Sequence, residues 1–269
     1  MLITPAKWQA KGGQKNEDFR RNIVPYMSKI VYYPDATELF NIAEVDGISF
    51  YIIGSSICKE KNIINICGKN TKFNTARVRP VGGVLNNYVY EVIQKMHGNV
   101  LAVNTKNDHF KLSGISNGTI DVYSAGKVID CCDIKDIHQN ADDINRYKVV
   151  SNEMLGYSFF FDDSGKMIGS PEYKVLGKNT VCSKHYVVYR AFDDENEAKS
   201  LTSYLNTKLI RFITALALTG TTTSKSEFWR FVPDPGAFDH IFTDQELYKK
   251  YNLTDEEINI IESVIKERK

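Results

Sequence analysis

The sequence predicts a mixed α+β protein, in which a small helix-and-strand segment is followed by a mostly β module and then by helices. Near the start, one helical segment is followed by two short runs of β-branched and aromatic residues. From Asn99 to about Phe192 such runs recur between clusters of Gly, Asn, Asp and Ser. After Phe192 the apolar residues adopt helical spacing, which completes the α+β pattern.

The composition is that of a globular protein without an extreme charge. The 269 residues are 42% hydrophobic and 25% charged, enough for one large domain or two modest ones. Lys and Arg total 34 against 33 Asp and Glu, so any site for a polyanion must be a local patch. No apolar run reaches the roughly 20 residues of a membrane span, and five cysteines without CxxC spacing predict neither a disulfide framework nor a zinc site. We therefore expect a cytoplasmic protein that is not bound to a membrane.

Residues 1–76 predict a partial α/β segment. NEDFRRNIVPYMS, from Asn16, predicts a short helix, whereas KIVYY from Lys29 and GISFYIIG from Gly47 predict strands. The near-continuous apolarity of residues 48–53 is typical of a parallel strand covered on both faces.

Residues 77–98 predict a linking helix that Gly98 ends. Its apolar positions at helical spacing are Val84, Tyr88, Val92 and Met96. The β module over residues 99–192 contains the strand-like runs TIDVYSAG, KVIDCC, RYKVVS, YSFFF, YKVLG and HYVVYRAF.

Residues 193–269 predict helices in DENEAKSLTSYLNT, in KLIRFITALALTG and in two closing segments. Thr243 and Thr254 head the closing pair, and Glu246 and Glu257 follow three residues later as capping boxes.

Motifs for self-contained chemistry are weak. The chain lacks GxGxxG, GxxxxGK[ST] and GxSxG, and its five histidines are scattered without a paired ligand at i, i+4. Pro34-Asp35 and Glu172-Tyr173-Lys174 supply the letters of a nuclease motif but lie far apart in sequence. A stand-alone nuclease therefore remains only an alternative.

Several ordered blocks resemble one family of enzymes. MLITPAKWQAKGGQKNEDFRRNI, then SKIVYYPDATELF and VDGISFYIIG, resemble the later half of the catalytic domain of γ-type adenine-N6 DNA methyltransferases, including TaqI-type enzymes and fused type IIG restriction-modification proteins. In that family a strand ends in a Pro-x-x-Trp segment, and a helix, a strand, a Phe-ended turn and another strand follow. The resemblance continues through RPVGGVLNNYVYEVIQKM and RYKVVS, and is clearest in SYLNTKLIRFITALALTGTTTSKSEFWRFVP with TDQELYKKYNLTDEEINIIESVI.

The resemblance implies a methyltransferase-like segment over residues 1–76 and a target recognition domain over residues 99–269 that binds double-stranded DNA. The family's catalytic tetrapeptide, Asn or Asp followed by Pro-Pro and an aromatic, is missing because no two prolines are adjacent. The S-adenosylmethionine motif is missing too, so we expect that cofactor, and methyl transfer to a flipped adenine, only with a partner that supplies the catalytic half. The resemblance thus implies a split subunit, a shortened gene or an expressed fragment.

Candidate DNA-binding residues fall in four stretches. Lys7, Trp8 and Lys11 lie in the segment that borders the flipped-base pocket in the family, where a ring can stack on a base and cations can hold the backbone. Lys184 and Tyr186 lie in a probable strand, where alternation puts them on one face together with Val188. For Trp8 and for this strand, burial in a core is the alternative.

Two further stretches are helical or follow a helix. Lys208 and Arg211, at i, i+3, share a helix face and can present adjacent cations to a DNA backbone, or form a solvated helix flank. In TGTTTSKSEFWRFVPDP, hydroxyls and cations can donate to phosphates, and Arg230 can also reach a guanine edge. The residues of this stretch that we assign to DNA are Thr222, Ser224, Lys225 and Arg230, whereas Phe228, Trp229 and Phe231 are more typical of scaffold.

The sequence therefore favours a DNA recognition part of an adenine-N6 methyltransferase or restriction-modification enzyme. A protein-interaction or regulatory subunit of a partner methyltransferase is the second possibility. The DNA target sequence cannot be read from the chain, because base contacts depend on loop geometry.

Overall fold

The computed structural model describes residues 1–5, 18–19, 22–33, 48–57, 62–65, 92, 95–96, 98–114, 117–153, 166, 168–217, 229 and 231–268. Over this part of the chain the protein is a mixed α+β fold, as the sequence predicts. The strands are β1 (Leu2–Pro5), β2 (Met27–Tyr33), β3 (Ile48–Ile53), β4 (Asn62–Asn65), β5 (Ile120–Ser124), β6 (Lys127–Cys132), β7 (Tyr147–Asn152), β8 (Lys174–Leu176), β9 (Thr180–Cys182) and β10 (Tyr186–Phe192). The α-helices are α1 (Glu195–Asn206), α2 (Lys208–Ala217), α3 (Asp244–Lys250) and α4 (Asp255–Val264), and none of these described helices is long and apolar enough to cross a membrane.

The first sheet has the strand order β1-β3-β2-β4. The prediction that residues 48–53 form a parallel strand is wrong, because β3 runs antiparallel to both β1 and β2. The strand is also not covered throughout: Ile48 and Tyr51 are buried, but Ile52 is 45% exposed and Ile53 is 37% exposed. A continuous apolar run therefore does not mark burial on both faces here.

Helical residues precede β2, as NEDFRRNIVPYMS predicts. Asp18, Phe19 and Asn22 are helical, and a short 3-10 turn at Val24–Tyr26 leads into β2. Phe19 packs edge-on against Tyr51, with ring centroids 6.0 Å apart. This contact joins the helical residues to the first sheet.

The β module contains two three-stranded sheets, with orders β10-β7-β8 and β6-β5-β9. Five of the six strand-like runs are confirmed as strands, and the sixth, YSFFF, lies outside the described residues. The sequence analysis missed β9, which has only three residues.

The sheet β10-β7-β8 is buried on both faces. Val149 and Val187 point into a helical core, which this sheet shares with the helices. Val150 and Val188, one position along each strand, point into a β core between the two sheets. Because successive side chains of a strand point to opposite faces, this sheet contributes to both cores. The layers are therefore the helices, the sheet β10-β7-β8 and the sheet β6-β5-β9.

Helix α1 covers the helical-core face of that sheet. Its buried positions Ala198, Leu201 and Leu205 follow the i, i+3, i+7 spacing of one helix face, and its N-cap Asp194 accepts a hydrogen bond from the Asn196 amide at 2.8 Å. Val92 also enters the helical core, while most of the predicted linking helix over residues 77–98 lies outside the described residues.

Trp229 confirms the scaffold interpretation of the aromatic stretch. Its ring is buried and lies 4.9 Å from the Tyr189 centroid and 6.1 Å from the Tyr173 centroid. Phe231 packs against the same core, whereas Phe228 lies outside the described residues. The large rings here fill the interior.

The two closing helices begin where the sequence predicts. Thr254 and Glu257 form a complete capping box at α4. At α3 the Thr243 hydroxyl accepts from the Glu246 amide at 3.2 Å, while the Glu246 carboxylate contacts His240 at 2.8 Å.

A C-terminal clamp closes the helical core, and we define it by Arg268 and its acceptors Ser170, Pro171 and Asn206. The Arg268 guanidinium donates to the Pro171 carbonyl at 2.6 Å and the Ser170 hydroxyl at 3.1 Å, and also to Asn206. The clamp ties the end of the chain to the loop before β8 and to the end of α1.

Gly118 is required by the close approach of two segments. A Cβ at this position would lie 1.9 Å from the Cys132 carbonyl oxygen, which is a backbone atom. We expect Gly118→Ala to lower the free energy of unfolding by about 2 kcal/mol or more, because the end of β6 must move. Gly177→Ala, where a Cβ meets no atom within 4 Å, is the matched control in chemical denaturation. Equal stabilities of the two variants would contradict this account.

His240 should make stability depend on pH. Hydrogen bonds that the His240 ring donates to the carboxylates of Asp239 and Glu246 raise the pKa of His240 above its ordinary 6.5. Its contribution is therefore fully present below pH 6.5 and is lost as the pH rises through the raised pKa. The gap in melting temperature between wild type and His240→Gln should be larger at about pH 6 than at about pH 9. A gap that does not change between these two pH values would refute the assignment.

Candidate nucleic-acid interface

The ends of several strands meet at one edge of the β module. β5 and β9 run parallel, with Tyr123 opposite Cys182, so both end there. Tyr186 at the start of β10 lies opposite Asn152, and Lys174 at the start of β8 lies opposite Val150. At this strand-end edge Ser124 and Ser183 are half-buried, and the exposed polar side chains are Lys127, Glu172, Lys174, Lys184 and His185.

A tight hairpin connects β5 to β6 at this edge. Ala125 and Gly126 form its tip, and both have positive φ, 50° and 84°, as a two-residue hairpin turn requires. The Gly126 amide donates to the Tyr186 hydroxyl at 3.0 Å. The tip is therefore fastened to the neighbouring strand β10.

The turn between β9 and β10 lies beside this hairpin tip. The hydroxyls of Ser124 and Ser183 share a hydrogen bond of 2.9 Å, and the Ser183 amide donates to the Tyr123 carbonyl at 3.0 Å. The two turns thus form one connected surface.

The strand-end edge carries several charged side chains, and two of its lysines are exposed without a described ion pair. Lys127 and Lys184 are exposed, and Lys174 forms an ion pair with Glu172 at 3.2 Å. Glu153, which directly follows β7, accepts a hydrogen bond from the side-chain amide of Asn107 at 2.7 Å. Burial raises the pKa of the Cys182 thiol at the end of β9, and Asp108 lies close enough to raise it further, so the three lysines stand beside three carboxylates.

Lys184 and Tyr186 have different environments, although the alternation placed them on one strand face. Lys184 is exposed in the turn before β10, so it is not part of the strand ladder. Tyr186 is only 8% exposed, and its ring packs edge-on against Tyr123 with centroids 5.3 Å apart. Lys184 can reach a ligand directly, whereas the Tyr186 ring belongs to the β core.

Lys208 and Arg211 lie on one side of α2, as their spacing predicts, but not on an open surface. The Lys208 side chain is 14% exposed and contacts the carboxylates of Glu262 and Glu267. Arg211 is 1% exposed and donates through Nη2 to the Lys266 carbonyl. In this arrangement a DNA phosphate has no access to Arg211, because α4 and the residues behind it cover the guanidinium.

Burial also affects the Arg211 guanidinium beside Lys208. Desolvation lowers the pKa of Arg211, and its Nε and Nη1 have no hydrogen-bond partner among the described residues. A cleft of about 640 Å³ lies beside them. The charged residues that line it are Lys208, Arg211, Arg268, Asp244, Glu262 and Glu267. With as many carboxylates as cations, this cleft does not offer a net positive surface.

A second cleft, of about 770 Å³, lies beside the end of β10. Arg190 extends over the rings of Phe192 and Phe238, at 5.2 Å and 5.1 Å from their centroids. The acidic residues lining this cleft are Asp193, Asp194, Glu197 and Asp239. They outnumber its two arginines, so phosphates are repelled there and the strand-end edge is the better candidate.

The remaining predicted DNA residues lie outside the described part of the chain. They are Lys7, Trp8, Lys11, Thr222, Ser224, Lys225 and Arg230. Their assignment stays a prediction. Conversely, the sequence analysis missed Lys127 and Lys174, although the dipeptide Ala125-Gly126 between two strand-like runs signals a hairpin that places Lys127 beside its tip.

The nuclease alternative is not tested by the described residues. Within them no group of three or more His, Cys, Asp or Glu side chains is placed to hold a metal ion. Glu172 and Lys174 contact each other, and Asp35 lies outside the described residues.

Comparison with known proteins adds no relative. A scan against protein-family models finds no match to this chain, and a search of curated proteins finds no significant match. Function must therefore be inferred from the residues and their geometry.

The placement of Lys208 predicts a structural effect. We expect Lys208→Ala to lower the free energy of unfolding by roughly 1 kcal/mol, because Glu262 and Glu267 lose a partly buried cation. Lys199→Ala, which removes an exposed pair with Glu195 at 2.8 Å, is the matched control and should cost less than about 0.5 kcal/mol. Chemical denaturation measures both, and an equal loss for the two variants would contradict the placement.

Proposed function

We propose that this chain is the DNA recognition part of an adenine-N6 DNA methyltransferase or of a fused restriction-modification enzyme. It binds duplex DNA through the strand-end edge. The observation that carries this proposal is that strand register places Lys127, Lys174 and Lys184 at one edge of the β module, beside the half-buried hydroxyls of Ser124 and Ser183.

The chemistry of this edge suits a nucleic-acid backbone. Lysine ammonium groups and serine hydroxyls donate to phosphate oxygens, which fixes a protein on the duplex. Turns that a packed β scaffold holds in place are a common location for binding residues. A local patch of this kind is what a chain with a net charge of +1 requires.

The order of the elements also supports the proposal. β1 ends at Pro5, helical residues follow at Asp18, and β2 and β3 come next, which is the order that the family resemblance implies. The β module and the helices then follow in the order of a recognition domain.

We assign methyl transfer to a catalytic half whose motifs this sequence does not contain. The catalytic tetrapeptide and the motif for S-adenosylmethionine are missing from the sequence. The catalytic half that carries both belongs either to the same enzyme or to a partner polypeptide, and the described residues supply DNA recognition.

A second candidate function is a protein-interaction module, and β6 favours it. This strand lies at the edge of its sheet, where Val128 is 49% exposed and Ile129 is 45% exposed to solvent. Exposed apolar residues on an edge strand are typical of surfaces that pair with another polypeptide.

Binding to duplex DNA should depend on Lys127 and Lys184. The double variant Lys127→Ala/Lys184→Ala removes two phosphate contacts, so the slope of log affinity against log salt should become shallower by about 2. A fluorescence anisotropy titration between about 50 and about 200 mM salt measures that slope.

Lys135→Ala provides the matched control for this titration. Lys135 is exposed and follows the far end of β6, so it lies roughly 17 Å or more from Lys127 along the same hairpin. Its removal should leave the slope unchanged. No binding at low salt, alone or with the catalytic polypeptide, would overturn DNA recognition and favour the interaction module. Cleavage of DNA with magnesium would favour the nuclease instead.

A further inference from the structure

We propose that Tyr186 is a positioning residue for sequence recognition. Its hydroxyl holds the hairpin tip Ala125–Gly126 beside the turn Ser183–His185, and these two locked turns enter a DNA groove and discriminate between base sequences. The inference rests on the proposed function and adds the element that reads the bases.

Tyr186 is anchored independently of any ligand. Its ring is buried in the β core against Tyr123, and its amide donates to the Ser183 carbonyl at 3.0 Å. Both ends of the residue are therefore fixed by the scaffold. The hydroxyl is therefore an acceptor held beside the hairpin tip.

The hydrogen bond from the Gly126 amide to the Tyr186 hydroxyl holds the hairpin tip against this fixed residue. The amide lies in the turn, outside the ladder of β5 and β6, and its hydrogen bond to the Tyr186 hydroxyl is 3.0 Å long. The Ser124–Ser183 hydrogen bond of 2.9 Å is a second tie between the same two turns. Two contacts on different atoms restrict both tilt and translation of the tip.

The tip is shaped for close approach to another surface. A Cβ at Gly126 would meet no atom within 4 Å, so this face of the turn is open. Without a side chain, the backbone of Gly126 can come near a base edge. Two neighbouring strands about 4.8 Å apart fit a major groove about 12 Å wide.

The flanking lysines define the direction of approach. Lys127 follows the tip directly and Lys184 lies in the adjoining turn, and both are exposed. Phosphate contacts from these two residues set register, whereas base discrimination needs the tip itself to be held in place. Loss of the tie should therefore affect selectivity more than overall affinity.

Tyr186→Phe tests the inference, because it removes the hydroxyl and keeps the buried ring. A duplex library with a randomised centre is first enriched on the wild-type chain to obtain a preferred sequence. For Tyr186→Phe we expect the ratio of affinities for this sequence and for an unselected duplex to fall roughly tenfold. The salt dependence should stay as in wild type, and hydrogen exchange of the Gly126 amide should become faster.

Two further variants sharpen the test. Ser183→Ala removes the second tie and should lower the affinity ratio in the same direction. Tyr147→Phe is the control, because Tyr147 begins β7 whereas the strand-end edge lies at the other end of that strand. It should leave the affinity ratio unchanged.

The outcomes separate the two proposals. If the wild-type chain binds no duplex and enriches no sequence, the proposed function fails. If it enriches a sequence and Tyr186→Phe keeps the same ratio, only the positioning role fails. Unchanged hydrogen exchange at Gly126, or a shallower salt dependence in Tyr186→Phe, would also overturn the positioning role.

Discussion

The burial of one sheet on both faces is the constraint on which the β module and the helices depend. β7 lies at its centre, so every side chain of this strand must suit either the helical core or the β core. Lys148 meets this requirement although it is fully buried, because its ammonium donates to the carbonyls of Asp143, Ile144 and Arg146 at 2.7–3.0 Å. A buried charge with three acceptors is tolerated where an isolated one is not. Burial nevertheless lowers the pKa of Lys148 to about 8.

The same constraint fixes the geometry of the candidate interface. A bulge between Val188 and Arg190 shifts the register of β10 against β7, and beyond it Arg190 lies opposite Val149. Tyr186 lies before the bulge, and its ring packs in the β core. Packing in the helical core and in the β core therefore fixes the position of the turns at the strand-end edge. A binding surface needs its turns to be held in this way.

The sequence predicted features that depend on near neighbours and failed on those that depend on distant ones. The capping box at Thr254 and the hairpin strands follow from residues a few positions apart. The antiparallel pairing of β3 does not, because apolarity is equally compatible with either direction. Nor does the burial of Arg211, since helical spacing defines a face of α2 but not what covers that face. Lys127, Lys174 and Lys184 come together only through the register of several strands, so no local pattern could reveal this cluster.

The C-terminal clamp has a consequence for how the chain folds as it is synthesised. Arg268 bonds to Ser170, 98 positions earlier, and Glu257 pairs with Lys95, 162 positions earlier. Contacts of such long sequence separation form late, because a long loop must close before they contribute. Until the later helices have been synthesised and have packed, the helical-core face of the sheet β10-β7-β8 is exposed to water. This interval is when the nascent protein is most exposed to aggregation and to capture by chaperones.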